Sequence, residues 1–183
     1  MLDLISHGRG GPGASGSLTA AQIDFVRRTV QRALEVMLKF LSGGPSTLKA
    51  VANHVDYIGR KGTLELETEE CERVQGRNAA RRMLDDWDLD LDELRPRAEL
   101  QPPYARKPPR LVYKLLFSMP AGTPPEKMEA AARNFGREEF SLQHRYAFVL
   151  HTDEPHPHVH LVFRALSEQG VRLNVTKAML HLW

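Results

Sequence analysis

Residues 151 to 160 read His-Thr-Asp-Glu-Pro-His-Pro-His-Val-His, which places four of the chain's eight histidines within ten positions. Side chains alternate faces along a strand, so His158 and His160 project from one side about 7 Å apart, near enough to share a single cation. Val159, Leu161 and Phe163 then point into a core on the other side. His151 ends the preceding strand and can face the same way across a hairpin. Three imidazoles would then converge and leave coordination positions free for water or substrate, the pattern of a catalytic rather than a structural metal. Asp153 and His156, in the connecting loop, are candidates for orienting a ring through its second nitrogen. His156 can equally replace His151 as a ligand, and from the residues alone both assignments stand.

Two chemistries use such a cluster. One is metal-assisted transfer of a phosphodiester. The other is the metal-free reaction of the histidine-triad nucleotide hydrolases, in which a histidine is the nucleophile. Pro157 stands where those hydrolases carry an ordinary strand residue, and His151 and Asp153 have no role in them, so the first chemistry is favoured.

The elements that must position these groups follow from periodicity. Ser46-Thr47 can cap a helix running through Gly59, with Leu48, Val51, Val55 and Ile58 on one apolar stripe. Tyr57 lies roughly 140° from the centre of that stripe, beside Asn53, so its hydroxyl should look outward. Val36 to Leu41 reads as a strand stopping at Ser-Gly-Gly-Pro, and Lys61 to Glu67 as a half-exposed strand. Arg73 to Leu84 reads as a helix, followed by an acidic patch and a Pro-rich connection from Arg95 to Arg110. Leu111 to Met119 is a strand, Pro125 to Phe140 a helix, and Tyr146 to Thr152 and His158 to Leu166 are two strands joined by a short loop. A small strand over Val171 to Asn174 and a helix from Thr176 complete the pattern. The expectation is an α/β (α+β) fold, a central, mainly antiparallel sheet of about five strands flanked by helices.

Composition sets the outer limits. With 183 residues, 42% of them hydrophobic and 26% charged, the chain can bury a core without disulfide or metal support. No stretch approaches the ~20 apolar residues of a membrane span. The Gly- and Ser-rich tail of residues 1–18 lacks the layout of a secretory signal, and the single cysteine, Cys71, fits a reducing compartment, so a cytoplasmic location is expected and membrane insertion is not. Residues 19–35 carry Ile23, Val26, Val30, Ala33 and Leu34 at helical spacing, an N-terminal amphipathic helix. The net charge of +2 says little about partners. The basic residues are grouped, however, and Arg60, Lys61, Arg77, Arg81, Arg82, Arg106, Lys107 and Arg110 are candidates for binding DNA, with Tyr104 or Trp87 stacking on a base.

Three segments together resemble one family. His151 to His160 followed by Leu161-Val162-Phe163 resembles the histidine motif of the conjugative relaxases of the HUH endonuclease superfamily, and is closest to the MobP and VirD types. Val36 to Leu41 followed by Asn53-His54-Val55-Asp56-Tyr57-Ile58-Gly59-Arg60-Lys61-Gly62 resembles their first strand and tyrosine helix. Phe117-Ser118-Met119-Pro120-Ala121-Gly122-Thr123 resembles their central strand and turn. Replication initiators and transposases of the superfamily usually place the tyrosine after the histidines, whereas Tyr57 precedes them.

The resemblance implies a relaxase-like palm over residues 36–183, truncated at its C-terminus relative to longer relatives. It implies Tyr57 as nucleophile, Asp153 as a member of the catalytic site, and a divalent cation, Mg²⁺ or Mn²⁺, held by His151, His158 and His160. The implied reaction nicks and rejoins one DNA strand at a transfer origin through a 5′-phosphotyrosine. Implied partners are single-stranded origin DNA, accessory relaxosome proteins and a coupling protein. With the phenol's ordinary pKa near 10, the phenoxide must be favoured by the metal, by Lys61 or Arg60, or by a base such as Asp153 or, more weakly, Glu65. A truncated remnant that binds DNA without cutting it is the alternative.

Overall fold

The computed structural model describes residues 37–41, 43–95, 107–140, 143–154, 156–176 and 179. The tail over 1–18, the helix expected over 19–35, most of the Pro-rich connection and all of the expected C-terminal helix except Thr176 and Met179 lie outside them. The chain divides into two units, residues 1–34 and 35–183, and the fold described below is that of the second.

Among the described residues the chain forms β1 (Met37–Phe40), α1 (Leu48–Ile58), β2 (Leu66–Thr68), β3 (Arg73–Val74), α2 (Ala79–Asp86), α3 (Leu89–Leu94), β4 (Val112–Ser118), α4 (Pro125–Phe140), β5 (Tyr146–His151) and β6 (His158–Arg164). The strands make one sheet in the order β1-β4-β6-β5-β2-β3, every pair antiparallel. This is the expected α+β architecture with six strands rather than five. No described helix is long and apolar enough to cross a membrane.

The two faces of the sheet carry separate cores. Tyr113, Leu115, Phe117, Phe148, Val159, Leu161 and Phe163 pack beneath Met128, Ala132 and Phe140 of α4. The approach is close: Phe140 stacks on Phe163 with ring centroids 4.3 Å apart. A Cβ on Gly136 would lie 2.4 Å from the Tyr146 ring, so only glycine fits there. The opposite face buries Val112, Ala147, Val149 and Val162 against Val51, Val55 and Ile58 of α1, Ala79, Ala80 and Met83 of α2, and Trp87 and Leu89. Burying each such aliphatic side chain fully stabilises the fold by about 1.5–3 kcal/mol before entropy is counted. Strand alternation therefore leaves Lys39, Lys114, Leu116, Ser118, His151, His158 and His160 on the face opposite α4. Register aligns Met37, Ser118, His158 and His151 in one row across β1, β4, β6 and β5, and Lys39, Leu116, His160 and Val149 in the next.

Helix α1 is held at both ends. At its start the Thr47 hydroxyl accepts the Ala50 N–H at 3.3 Å, and the Glu93 carboxylate of α3 accepts the Leu48 N–H at 3.1 Å. These bonds satisfy two N–H groups that the helix cannot satisfy itself. Beyond its C-terminus, Arg60, Lys61 and Gly62 take consecutive left-handed conformations (φ 50°, 56° and 82°). That run ends the expected strand over Lys61 to Glu67, of which only its last two residues, Leu66 and Glu67, belong to a strand. Gly62 is obligatory, because a Cβ there would meet the Gly76 backbone at 2.3 Å.

Three further expectations are corrected. Arg73 and Val74 pair with Glu67 and Leu66 instead of starting a helix, and Gly76 (φ 95°) turns the chain so that α2 begins only at Ala79. The acidic patch contains α3, which buries Asp92. The small strand expected over Val171 to Asn174 is a single bridge from Leu166 to Arg172.

Asp92 is 2% exposed and takes a two-pronged ion pair from Arg164 of β6 at 2.7 and 3.0 Å, so α3 is fastened to the central strand. Removing one partner of a buried pair strands the other charge. Asp92→Ala should therefore lower unfolding free energy in urea by about 3–5 kcal/mol, and Asp90→Ala, exposed on the same helix, by under about 0.5 kcal/mol. Equal losses would show that the pair does not fasten α3.

Candidate active site

The β5–β6 hairpin brings the three histidines together. His151 and His158 are its last paired residues, and His160 follows on the same face. Ring centroids are 5.0 Å apart for His151 and His158, 4.8 Å for His151 and His160, and 5.2 Å for His158 and His160. One ligand nitrogen from each lies within 4.8 Å of the others.

Hydrogen bonds decide which nitrogens face the cluster. His151, 2% exposed, has Nε2 2.6 Å from the Ile58 carbonyl at the end of α1. A carbonyl only accepts, so Nε2 carries the proton and Nδ1 keeps the lone pair. His158 donates Nδ1–H to the His156 carbonyl at 3.2 Å, which leaves Nε2 as its acceptor nitrogen. The Nδ1 of His160 is buried and has no hydrogen-bond partner. Burial holds the His160 pKa down at about 3, helped by the positive charge that His151, His158, His54 and Arg60 can carry. His151 is also lowered, by burial first and then by Arg60 and His158, against the bond to Ile58. Three converging imidazoles, with only a long 3.4 Å contact from Arg60 on His151 Nδ1 and no partner on the buried Nδ1 of His160, are a donor set that fits a divalent cation.

The loop after α1 reaches over this cluster. Arg60 Nη2 lies 2.7 Å from Asp153 and 3.4 Å from His151 Nδ1. The left-handed backbone at Arg60 and Lys61 costs roughly 1–2 kcal/mol per residue and persists because Gly62 is locked against Gly76. Asp153 is exposed, and its carboxyl is held below the ordinary value by its own backbone N–H and by Arg60. It orients no imidazole directly. The His156 ring is exposed and outside the cluster; its carbonyl, rather than its side chain, orients His158.

Tyr57 is 63% exposed, as its position off the apolar stripe requires. It lines an open hollow of about 680 Å³ with Asn53, Asp56, Lys61 and Arg77, and no triad histidine borders that hollow. The structure therefore joins Tyr57 to the cluster through the backbone, one residue from the carbonyl that His151 holds. Lys61 and Arg77 have no ion-pair partner among the described residues.

The other candidates are dispersed. Arg81 is exposed and 3.7 Å from Asp85, and Arg82 donates to the Gln75 carbonyl at 3.0 Å. Arg110 lies over the Tyr113 ring at 5.7 Å, and Lys107 is exposed. Arg106 and Tyr104 fall outside the described residues. Glu65 pairs with Arg73 at 3.1 Å. Trp87 is fully buried in the core and cannot stack on a base, because its spacing continues the apolar face of α2.

Sequence reasoning missed His54. It sits three residues before Tyr57 on α1, half-buried, with its pKa pushed down to about 4 by burial and by Lys114. Spacing could have found it, since positions i and i+3 of a helix are neighbours. His54 and His160 stay neutral in the fold but take a proton near pH 6.5 when unfolded, so the unfolded chain binds more protons below that pH. Stability of the metal-free domain should thus fall as pH drops from about 6.5 toward 4, and His54→Leu should flatten that slope in urea unfolding. A slope unchanged in His54→Leu would show that His54 is not held neutral.

Comparison with known proteins bears on residues 57–182, which match a family model described as relaxase, MobA/VirD2-like, nuclease domain. The chain is 30% identical over 136 residues to the T-DNA border endonuclease VirD2 of Rhizobium rhizogenes, and equally to that of Agrobacterium fabrum. Each alignment covers 66% of this chain and 28% of the relative. The chain thus spans little more than a quarter of the length of the curated relatives it matches. With most of the chain inside the family model and the histidine hairpin inside the match, the chain belongs to the MobA/VirD2-like relaxase nuclease family.

Proposed function

We propose that this domain nicks and rejoins single-stranded DNA at a transfer origin, with Tyr57 as nucleophile. The observation that carries the reading is the bond from His151 Nε2 to the Ile58 carbonyl, which fixes the end of the tyrosine helix against the histidine cluster. The VirD2 relatives are by name border endonucleases, in keeping with strand cleavage.

His151 through Nδ1, His158 through Nε2 and His160 would hold the divalent ion, Mg²⁺ or Mn²⁺. When bound, it would neutralise charge on the non-bridging oxygens of the phosphodiester. The chain's own groups act around it. Lys61 and Arg77 share the hollow with Tyr57 and place two cations where the strand's phosphates would lie. Arg60 presents a guanidinium beside the cluster, suited to a phosphate oxygen. Asp153 holds Arg60 in place; a carboxylate of lowered proton affinity is a poor acceptor for the phenolic proton. Tyr57 Oη bonds to phosphorus as the P–O3′ bond breaks, the 3′ oxygen takes a proton, and the 5′-phosphate stays on the tyrosine. Attack by the 3′-hydroxyl reverses the step without a nucleotide cofactor. Mobilisation of a plasmid or integrative element, with accessory relaxosome proteins and a coupling protein in a bacterial cytoplasm, is the context this chemistry serves.

Incubation with labelled single-stranded oligonucleotides from the element's transfer origin should yield a protein–DNA adduct on a denaturing gel. The adduct should require Mg²⁺ or Mn²⁺, vanish with chelator, and be absent in Tyr57→Phe. Tight DNA binding with metal bound and no adduct would instead identify a non-cleaving remnant. Asp153→Asn should slow adduct formation by about 10–100-fold, as expected for a supporting interaction at the site. If Asp153 were the base, its variant would regain rate with rising pH as hydroxide replaces it; a positioning role leaves the pH profile parallel to wild type.

A further inference from the structure

The part of the sheet face between the histidine cluster and the edge strand β1 is cationic and unpaired. Lys39 and Lys114 lie on the cluster's side of the sheet, since Leu38, Phe40, Tyr113 and Leu115 between and beside them face the α4 core. Lys39 shares a row with Leu116 and His160, two strands away, or about 10 Å at ordinary strand spacing. Lys114 is a diagonal neighbour of His160 on the adjoining strand, about 7–8 Å away between Cα atoms. Neither lysine has an ion-pair partner among the described residues.

A half-buried ammonium without a carboxylate is costly, and this one has a cation for a neighbour. Burial and the nearby Arg110 both lower the proton affinity of Lys114. Its charge also reaches His54 on α1, which places it at the flank of the tyrosine helix. Around the two lysines the face is apolar: Met37 is 62% exposed, and Leu116 is half-buried in the same row as Lys39. Cations interleaved with exposed apolar surface suit an anion that also carries flat apolar groups, which describes a single nucleic-acid strand.

The second group of unpaired cations, Lys61 and Arg77, lies at the other side of the cluster. The loop that carries Lys61 docks on Gly76, next to β3, whereas Lys39 and Lys114 lie on β1 and β4. We propose, building on the nicking reading above, that Lys39 and Lys114 bind the phosphates flanking the scissile one, so that the strand crosses the sheet from the Lys61–Arg77 side to β1. The two lysines are positioning residues and contact no reacting atom.

The test uses the full chain carrying Tyr57→Phe, and fluorescein-labelled dT30 in anisotropy titrations at several KCl concentrations. Phosphate contacts of a single strand each contribute about 0.7 to the slope of log affinity against log salt. The pair Lys39→Gln/Lys114→Gln should weaken binding by about tenfold or more and reduce the slope by about 1.4, two contacts at that value. Lys127→Gln/Arg137→Gln, on α4 at the opposite face, should change neither. Mn²⁺ binding measured by calorimetry should be the same in all. If loss of Lys114 unfolds the domain, Lys39→Glu alone, at an exposed position, should still reduce the slope by about 0.7 or more.

An unchanged slope in the lysine variants, with wild-type binding intact, overturns this assignment and leaves the nicking reading standing. A parent that binds neither dT30 nor origin oligonucleotides overturns both. Binding to phosphatidylserine vesicles that the lysine variants lose, with their dT30 isotherms unchanged, would reassign the strip to an anionic membrane.

Discussion

The bond between His151 Nε2 and the Ile58 carbonyl is the contact on which the rest of the site depends. It joins the last residue of β5 to the last residue of α1 at 2.6 Å, inside the protein where water does not compete. A helix end leaves its final carbonyls unsatisfied, and a buried imidazole needs one nitrogen committed before the other can be a ligand. One hydrogen bond meets both requirements. It also removes a freedom, for if α1 slid along its axis the carbonyl would leave the imidazole and the tautomer would no longer be fixed.

The stretch after that carbonyl shows what the arrangement costs. Three consecutive left-handed residues, two of them not glycine, would not persist in an isolated peptide. Here the Gly76 N–H donates to the Gly62 carbonyl at 3.1 Å, and the absence of a side chain at Gly62 allows that approach. The return is a guanidinium delivered across the cluster to Asp153, from a residue only two positions beyond the helix. An extended continuation of α1 would have pointed Arg60 away.

How much of this is legible in sequence depends on the range of each constraint. The histidine hairpin is local: alternation puts His158 and His160 on one face, and a short loop brings back His151. The outward Tyr57 follows from one apolar stripe, and α4 and β4 to β6 from clear periods. What escaped is set at long range. The alternation over Lys61 to Glu67 gives no sign that Gly62 meets Gly76, so a strand was the natural expectation where a left-handed turn stands. Arg73 looks helical because its neighbours are good helix formers, yet β3 exists because β2 offers it an edge. In the acidic run a buried aspartate looks the same as an exposed one. Asp92 is distinguished chiefly by Arg164, 72 residues away, with Arg95 a longer contact at 3.4 Å. Trp87 has the chemistry of a base-stacking residue but the spacing of a core residue, and spacing prevailed.

Asp92 also explains why an ion pair lies buried at the far end of the strand that carries the site. β6 presents His158 and His160 at one end of a face whose middle is Val162 and whose other end is Arg164. Polar ligands occupy half of that face, so apolar area alone is a weak anchor for the helices above it. The Arg164–Asp92 pair supplies direction instead of area, fixing α3 against the strand. From α3, Glu93 reaches the first turn of α1, where a carboxylate both accepts the free Leu48 N–H and complements the positive helix end. Helix α1 is then clamped to β6 through α3 at its start and to β5 through His151 at its finish. Both anchors belong to the same hairpin. The placement of Tyr57 relative to the histidines is thereby set by three polar contacts in addition to the apolar packing of Val51, Val55 and Ile58.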